Sequence, residues 1–489
     1  MPWLTIWQKR HTNSKVKRSG LSLAHNLMMK PITYNQTTYY LDEDSHQKYL
    51  CIEGDHSGFA GEFLAGIYRC PLTPENAAAL RERLPWLRPQ PLGLATSFGF
   101  GDRLGLATPG HIAAVRGTKL APVFAQQSVR ENTRTGRSPQ IVLDDAMWAV
   151  FAADWRAPWG ADADHIKEIS DVPPFIAAGY SFYTIDPNEY VDNAAHSDSV
   201  ETLKVKVNGL PWDELGISLD GWYQLYVANP IQLDGITLNF QEETLLRAAV
   251  KYGRAVAHIK SVSDYLVEHV SQFDLEASVD ETDTPTSAEE HYFIANELRR
   301  LGVPIVSLAP RFVGSFEKGV DYVGDLAEFD RELKKHAAMM HAIGGYKLSI
   351  HTGSDKLSIY PSIAERARNL VHVKTAGTSY LEALRVVATV DPAFFREILD
   401  FARAHYETDR ATYHVSGVLD KVLPSASLRD DELLDLFKQF DARQVLHVTF
   451  GSVLDVYGKR LMEILKANLG HYERFLKIHF DHHLESFNR

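Results

Sequence analysis

Residues 160–165, Gly-Ala-Asp-Ala-Asp-His, place two carboxylates and an imidazole close together, a combination that can transfer protons or hold a divalent metal ion. Because side chains alternate along a strand, Asp162 and Asp164 are expected on one face and His165 on the other. Asp164 and His165 can both reach one site only if the strand ends there. The alternative is a segment that caps a helix and leaves the histidine on the surface.

A second acidic segment places Asp274, Glu276, Ser278 and Asp280 on one face of a predicted strand. Carboxylates that face the interior of a protein are costly to bury without a cation or a shared proton. This row of acids therefore predicts a metal ion or a shifted pKa. The alternative is an acidic loop that faces outward and caps the next helix.

A histidine and a lysine follow two further apolar runs. His351 begins the segment His-Thr-Gly-Ser-Asp-Lys, where its neutral imidazole can ligate a metal and the backbone N–H groups of Gly353 and Ser354 can receive an anion. Lys374 can hold a phosphate or carboxylate group, or form a Schiff base with a carbonyl. The spacing does not separate these roles, and a histidine that only satisfies core hydrogen bonds is the alternative for His351.

Amides, hydroxyls and arginines end other apolar runs. Gln127, Ser128 and Arg130 follow one run, and Arg311 follows another, shortly before a Phe-Glu-Lys-Gly-Val-Asp segment that begins at Phe316. Such groups suit a polyol carboxylate, because each sugar hydroxyl needs a donor or an acceptor. We therefore expect a small, hydroxylated and anionic substrate.

The segments that carry these residues repeat one pattern, a short apolar run with a polar end followed by a helix-like stretch. Eight such runs predict a closed (β/α)8 TIM barrel, with the active site at the carboxyl ends of the strands. The alternative is a doubly wound sheet, which would need a dinucleotide fingerprint or another ligand crevice, and no G-x-G-x-x-G lies between a strand and a helix. The eight runs are residues 92–102, 121–128, 159–165, 180–186, 273–281, 304–312, 346–354 and 370–377.

The pattern also divides the chain into regions. Residues 1–30 contain six basic and no acidic side chains and are interpreted as a disordered arm or an over-extended start. Residues 31–89 form a β/α extension that covers one end of the barrel, and residues 90–380 form the barrel with an insertion at 188–249 after the fourth strand. Residues 381–489 are mostly helical and are expected to pack on the barrel.

Composition excludes several classes of protein. The 489 residues carry a formal net charge of -12, which argues against a protein that neutralises nucleic-acid phosphates. Two cysteines, Cys51 and Cys70, exclude a disulfide framework, and a reduced pair is expected. No apolar run is long enough for a membrane span or a signal peptide, so we expect a cytoplasmic protein without a membrane partner.

Taken together, the motifs resemble the tagaturonate epimerase family, a group of bacterial hexuronate-pathway barrels. The likeness covers the chain from about Pro31 to its end. It rests on GFGDRLGLATPGH at residues 99–111, AQQSVRENTRTGRSPQ at 125–140, GADADH at 160–165, YTIDP at 183–187, FEKGVDY at 316–322 and HTGSDK at 351–356.

The resemblance implies the activity and a set of residue roles. It implies interconversion of D-tagaturonate and D-fructuronate in hexuronate catabolism, with a divalent Zn, Mn or Ni ion. Asp164 would be the proton acceptor and Glu276 the proton donor, and His165, Glu317 and His351 would ligate the metal. The expected route is retro-aldol cleavage and re-addition, since the inverted carbon bears no acidic hydrogen. Expected substrate-binding residues are Gln127, Ser128, Arg130, Thr184, Arg311, Asp355 and Lys374.

Other functions stay open at this point. One alternative is a metal-dependent ketose epimerase or class II aldolase-like enzyme that acts on another sugar. Another is a barrel without catalytic activity that serves as a subunit of an aldolase. The expected partner is a small-molecule ketohexuronate, and the sequence leaves open whether the chain forms a homo-oligomer.

Overall fold

An antiparallel sheet begins the part of the chain that the structure describes. The structure is a computed structural model and describes residues 30–44, 47–233 and 235–488, so nearly all of the basic arm lies outside it. The elements are β1 Ile32–Tyr34, β2 Thr37–Glu43, β3 Lys48–Glu53, β4 Glu62–Leu64, β5 Ile67–Pro71 and α1 Pro74–Arg83, and the strand order is β1-β2-β3-β5-β4. Cys51 and Cys70 are buried in this sheet as free thiols.

The first half of a barrel follows, with the polar segments at the ends of its strands. Its elements are β6 Ser97–Phe100, α2 Thr108–Val115, β7 Ala121–Ser128, α3 Val129–Thr135, α4 Pro139–Ala152, β8 Gly160–Ile166, α5 Pro173–Ala178 and β9 Phe182–Ile185. Ser138 and Pro139 determine where helix α4 begins. The Ser138 hydroxyl caps its first turn by accepting from the N–H of Ile141, and Pro139 occupies a position that has no need of an N–H.

The insertion after the fourth barrel strand forms a small helical unit. It contains α6 Val200–Val207, α7 Trp212–Leu215, α8 Leu219–Trp222 and a two-stranded ribbon, β10 Ile231–Leu233 and β11 Ile236–Leu238. The chain returns through α9 Glu242–His269. Buried Tyr226 anchors the unit by donating to Glu297 Oε1 over 2.6 Å.

The second half of the barrel closes the sheet. Its elements are β12 Asp274–Ser278, α10 Ala288–Arg300, β13 Ile305–Ala309, α11 Leu326–Ile343, β14 Lys347–Ile350, α12 Tyr360–Ala367, β15 Val371–Thr375 and α13 Thr378–Val390. All neighbouring barrel strands are parallel, in the order β12-β13-β14-β15-β6-β7-β8-β9, and β12 pairs with β9. Each of the eight predicted runs contains most or all of one barrel strand, so the prediction of a (β/α)8 barrel is confirmed.

The C-terminal region is helical, as predicted, and packs against the barrel. It contains α14 Pro392–Asp409, α15 Phe440–Val448, α16 Phe450–Ala467 and α17 Leu469–Leu484. Helix α17 crosses α2 closely, because a side chain at Gly110 would meet Leu476 at 2.5 Å. No helix in the described ranges combines the length and apolar character that crossing a membrane requires.

Two charged residues at the amino ends of barrel strands bind the backbone of the chain and lie at the end of the barrel opposite the candidate site. Asp274, the first residue of β12, accepts hydrogen bonds from the N–H groups of Leu92 and Gly93 at 2.6 and 2.9 Å. Lys347, the first residue of β14, donates to the carbonyl of Ala95 at 3.0 Å. These two charged side chains therefore stabilise the chain that leads into β6. The candidate site lies at the opposite end of the barrel.

Candidate active site

A single buried lysine lies among three carboxylates inside the carboxyl end of the barrel. Lys374 Nζ, on β15, is 2.7 Å from Asp162 Oδ2, 2.8 Å from Asp164 Oδ1 and 3.0 Å from Glu276 Oε1. It also donates to the hydroxyl of Thr184. All four side chains are almost fully buried, so one cation offsets much of the cost of burying three anions.

This arrangement shifts the pKa values of the three acids in different directions. Burial opposes ionisation of Asp164 and Glu276, but nearby cations outweigh it and hold the pKa of both carboxyls below the usual range. Burial dominates at Asp162 and raises its pKa to about 7. The carboxylates in turn hold the pKa of Lys374 well above its ordinary value, which argues against the neutral amine that a Schiff base needs.

His351 connects this buried centre to the mouth of the barrel. Its Nε2 lies 2.6 Å from Glu276 Oε1, and its Nδ1 lies 3.1 Å from Asp280 Oδ1. Ser307 donates to the other oxygen of Glu276 over 2.5 Å. Burial disfavours a charged imidazole, yet the two carboxylates raise the pKa of His351 to about 10. A positive charge is therefore stabilised between Glu276 and Asp280.

His165 reaches the same place through an unusual backbone conformation. Its φ is +53°, in the left-handed region, and the ladder between β8 and β9 is irregular between Ala163 and Ile166. The irregularity interrupts the alternation that sequence reasoning applied to this strand. The His165 ring consequently lies 5.1 Å from the His351 ring, rather than on the opposite face from the site. Its Nδ1 is buried and has no hydrogen-bond partner among the described residues.

Three residues form a group that could hold a metal ion. Ligand atoms of His165, Asp280 and His351 all lie within 4.8 Å of one another. Glu317, which sequence reasoning placed in this set, is absent from the group. Its carboxylate accepts hydrogen bonds from the N–H and hydroxyl of Ser416 at 2.7 and 2.8 Å and from Gln444 Nε2 at 2.8 Å. Glu317 thereby ties the loop after β13 to the C-terminal region.

A pocket of about 380 Å³ lies above these residues and opens at the mouth. His351 and Asp280 line the pocket, and His351 also contacts Glu276, so these two residues connect the pocket to the buried centre. Both cations and acids line the wall. The charged lining residues are Arg130, Arg311, Lys318, Asp280, Glu281 and Asp283.

The remaining predicted substrate-binding residues lie in different environments. Arg130 and Arg311 line the pocket, and Thr184 lies beneath it against Asp162 at 2.9 Å. Ser128 caps α3 by accepting from the N–H of Glu131. Gln127 accepts from Arg137 at 3.3 Å and is buried.

Asp355 lies away from the pocket lining, in a separate buried cluster. Its Oδ1 is 2.8 Å from Arg443 Nη2, and its N–H donates to His483 Nε2 at 2.8 Å. This cluster joins the loop after β14 to helices α15 and α17. Asp355 therefore anchors the loop that carries His351.

Sequence reasoning missed several residues at the site. Asp280 was noted only as the end of the acidic row, although that row already placed it on the same face as Glu276. Lys318 follows Glu317 directly and has no periodic signal of its own. Tyr413 and His414 enter the pocket from the segment after α14, and no local pattern points to them.

The fold and the site define a (β/α)8-barrel enzyme with candidate acid–base residues at the carboxyl ends of its strands. A family model described as tagaturonate epimerase matches residues 28–487. The chain belongs to the tagaturonate epimerase family, and the resemblance inferred from its motifs is confirmed. It is accordingly an epimerase, a kind of isomerase.

Individual relatives cover nearly the whole chain. The tagaturonate/fructuronate epimerase of Thermotoga maritima is 40% identical over 457 residues, covering 92% of this chain and 94% of the relative. The glycerol-bound crystal structure of fructuronate-tagaturonate epimerase from Cohnella laeviribosi aligns with a TM-score of 0.89 at 35% identity, covering 94% of this chain and 95% of that one. The native crystal structure of that enzyme aligns with a TM-score of 0.88 at 34% identity, covering 95% and 97%.

Proposed function

We propose that this protein interconverts D-tagaturonate and D-fructuronate. The observation that carries the proposal is the buried centre formed by Asp164, Glu276 and Lys374, which opens through His351 into a pocket of sugar size. Membership in the epimerase family supports the substrate pair, because the relatives from Thermotoga maritima and Cohnella laeviribosi are named for these two sugars.

The substrates require cleavage of a carbon–carbon bond. They differ at the hydroxyl-bearing carbon β to the ketone, whose hydrogen is not acidic. Asp164 removes the proton from the hydroxyl on that carbon, its C–O bond becomes an aldehyde, and the bond toward the ketone breaks with its electron pair moving into an enediolate. The aldehyde then rotates, and the enediolate adds to its other face. The new alkoxide takes back a proton.

Glu276 and Lys374 support the charges that this reaction moves. Glu276 shares a 2.6 Å hydrogen bond with His351, so it can exchange a proton with that imidazole. His165 and Lys374 lower the pKa of Asp164 and so favour the ionised form that a base requires. The burial of both carboxylates excludes water, which strengthens each of these interactions.

The residues around His351 fit a divalent metal ion. Two imidazoles and a carboxylate are a common donor set for Zn, Mn or Ni, and the unpartnered Nδ1 of His165 provides a free ligand atom. His351 would bind the metal as a neutral imidazole after releasing its proton, and the carboxylates of Glu276 and Asp280 that favour a cation at this place would also favour the ion. We propose His165, Asp280 and His351 as the ligands. The metal would supply Lewis-acid stabilisation to the negative charge that develops on the ketone oxygen.

The activity can be tested by following D-tagaturonate with ¹³C NMR. We expect D-fructuronate to accumulate until both sugars are at equilibrium, and Glu276→Gln and Asp164→Asn to lower kcat by about 100-fold or more. Lys459→Met, at an exposed position on α16, is the matched control and should leave the rate unchanged. Turnover of neutral ketohexoses alone, without the uronates, would contradict the proposal. Solvent deuterium on the inverted carbon would replace the retro-aldol route by direct deprotonation.

A further inference from the structure

The pocket has a basic side that the proton-transfer centre does not use. Lys318, Arg130 and Arg311 line it. Lys318 and Arg311 come from the loop after β13, and Arg130 comes from the first turn of α3. Lys374 is not part of this side, because three carboxylates within 3.0 Å already neutralise it. A substrate anion therefore needs another partner.

Among the residues that the structure describes, Lys318 has more N–H donors without a partner than the buried lysines Lys356 and Lys251 do. Lys356 donates to three backbone carbonyls, and Lys251 pairs with Glu290 at 3.1 Å. Lys318 Nζ makes one hydrogen bond in the described part of the chain, to the neutral hydroxyl of Thr352 at 2.8 Å. Among the described residues, no carboxylate lies within 4.0 Å of this amine. An ammonium group has three donors, so two remain for a ligand.

The position of Lys318 directs those donors at the pocket. Its partner Thr352 directly follows His351, and both residues line the pocket. Thr352 has a left-handed backbone with φ of +48°, which fixes the hydroxyl where the chain turns out of β14. Lys318 is thus held next to the predicted metal ligands without contacting them.

The two arginines extend the same positive surface. The guanidinium of Arg311 has no hydrogen bond or ion pair within the described ranges, and Arg130 is 3.9 Å from Glu281, a long and partly exposed pair. Burial and the nearby charge of Arg130 lower the pKa of Lys318. An arriving carboxylate would relieve this repulsion. The carboxylates of Glu131, Glu281 and Asp280 also act on Lys318 and partly oppose this lowering of its pKa.

We propose that Lys318, flanked by Arg130 and Arg311, binds the carboxylate of the substrate and makes the enzyme selective for uronates over neutral ketoses. The inference rests on the proposed function and deepens it by assigning the anionic end of the sugar to a subsite. A carboxylate at Lys318 leaves the hydroxylated end of the molecule to His351 and the buried acids. The residues that bind the substrate carboxylate are thus different from those that transfer protons.

The test compares binding of a sugar acid with binding of its neutral counterpart. Isothermal titration of the full protein with D-gluconate and D-glucitol measures the preference for a carboxylate without any need for turnover. We expect the wild type to prefer gluconate by about tenfold or more, and Lys318→Met to reduce this ratio to about two while glucitol binds as before. In the epimerase assay, the KM of Lys318→Met for D-tagaturonate should rise about tenfold, with kcat changed by less than about threefold.

Control variants distinguish a loss of the Lys318 charge from a general effect of substitution. Lys318→Arg retains the charge and should retain the preference for the acid, whereas Lys459→Met should match the wild type. Lys318→Gln, which preserves a donor to Thr352, replaces the Met variant if that variant does not fold. An unchanged gluconate preference in the folded Met or Gln variant overturns the inference, and so does a wild type without any preference. Absence of ketohexuronate turnover in the wild type instead overturns the proposed function.

Discussion

At the scale of single residues, the site depends on how each buried charge is compensated. Lys374 is surrounded by carboxylates and stays protonated, whereas Lys318 has no close anion and stays available. The same contrast separates two glutamates. Glu276 contacts His351 and Lys374. Glu317 instead accepts hydrogen bonds from neutral groups, which are Ser416 and Gln444 of the C-terminal region and Ser315 of its own loop. Residue type alone does not distinguish a catalytic acid from a structural one.

The proposed metal ligands give a prediction at this scale. Because Asp280 lies within 4.8 Å of both histidines and Glu317 does not belong to their group, Asp280→Asn should weaken metal binding by about tenfold or more. Glu317→Gln should retain one metal per chain, although it is expected to lower the stability by about 1–3 kcal/mol through its lost hydrogen bonds. Metal content after dialysis against a chelator and reloading with Mn²⁺, Zn²⁺ or Ni²⁺ measures the difference. A result in which only the Glu317 variant loses metal would restore the ligand set expected from the sequence.

At the scale of elements, one tight loop determines where His351 lies. Residues 351–356 leave β14 with two non-glycine residues in the left-handed region, Thr352 at φ of +48° and Asp355 at +63°. Gly353 donates to the carbonyl of Lys374 over 2.8 Å and so lies directly against β15. The loop thus connects β14 and β15, the strands that lead to His351 and carry Lys374, and Arg443 and His483 hold its far end through Asp355.

A substitution in this loop should affect both stability and activity. A Cβ at Gly353 would meet Val373 Cγ1 at 2.7 Å and two backbone oxygens at 3.0 Å, so Gly353→Ala should cost about 1–3 kcal/mol and lower kcat by displacing His351. Gly451 lies in α16 with nothing within 4 Å of an added Cβ. Gly451→Ala should therefore raise the stability by about 0.5–1 kcal/mol and leave kcat unchanged. Urea unfolding and the epimerase assay report both effects, and equal behaviour of the two variants would argue against the close contact.

At the scale of the whole molecule, the C-terminal helices are part of the enzyme rather than an appendage. They supply the partners of Asp355 and Glu317 and bring Tyr413 and His414 to the pocket. Their packing also buries histidines in a neutral state. His111 is enclosed between Phe100 and Phe480, with ring centroids 4.9 Å away in both cases.

These neutral histidines make the stability depend on pH. Burial lowers the pKa of His111 and of His336 to about 4, so below pH 6.5 the unfolded chain binds more protons than the folded one. Stability should fall as the pH decreases through this range, by about 2 kcal/mol per histidine between pH 7.5 and 5. His111→Gln should remove about 2 kcal/mol of that loss in urea unfolding measured at the two pH values. A variant with the same pH dependence as the wild type would contradict this assignment.

The sequence by itself determined the barrel and the chemical inventory of its mouth. The alternation of strand and helix signals is local, since each run has the length and apolar character of one element, and the polar ends of those runs must meet when parallel strands close. Asp164, Glu276, His351 and Lys374 were therefore predictable as neighbours, and the structure brings them together.

Only the tertiary structure decided how these side chains are paired. The left-handed backbone at His165 overrides the simple alternation of a strand, Asp280 joins the two histidines where Glu317 was expected, and Lys318 is left without a carboxylate. These outcomes depend on contacts between residues that are far apart in the chain, such as Gln444 with Glu317 at a separation of 127. Local spacing in the sequence does not predict such contacts, because they form only when the barrel closes and the C-terminal helices pack against it.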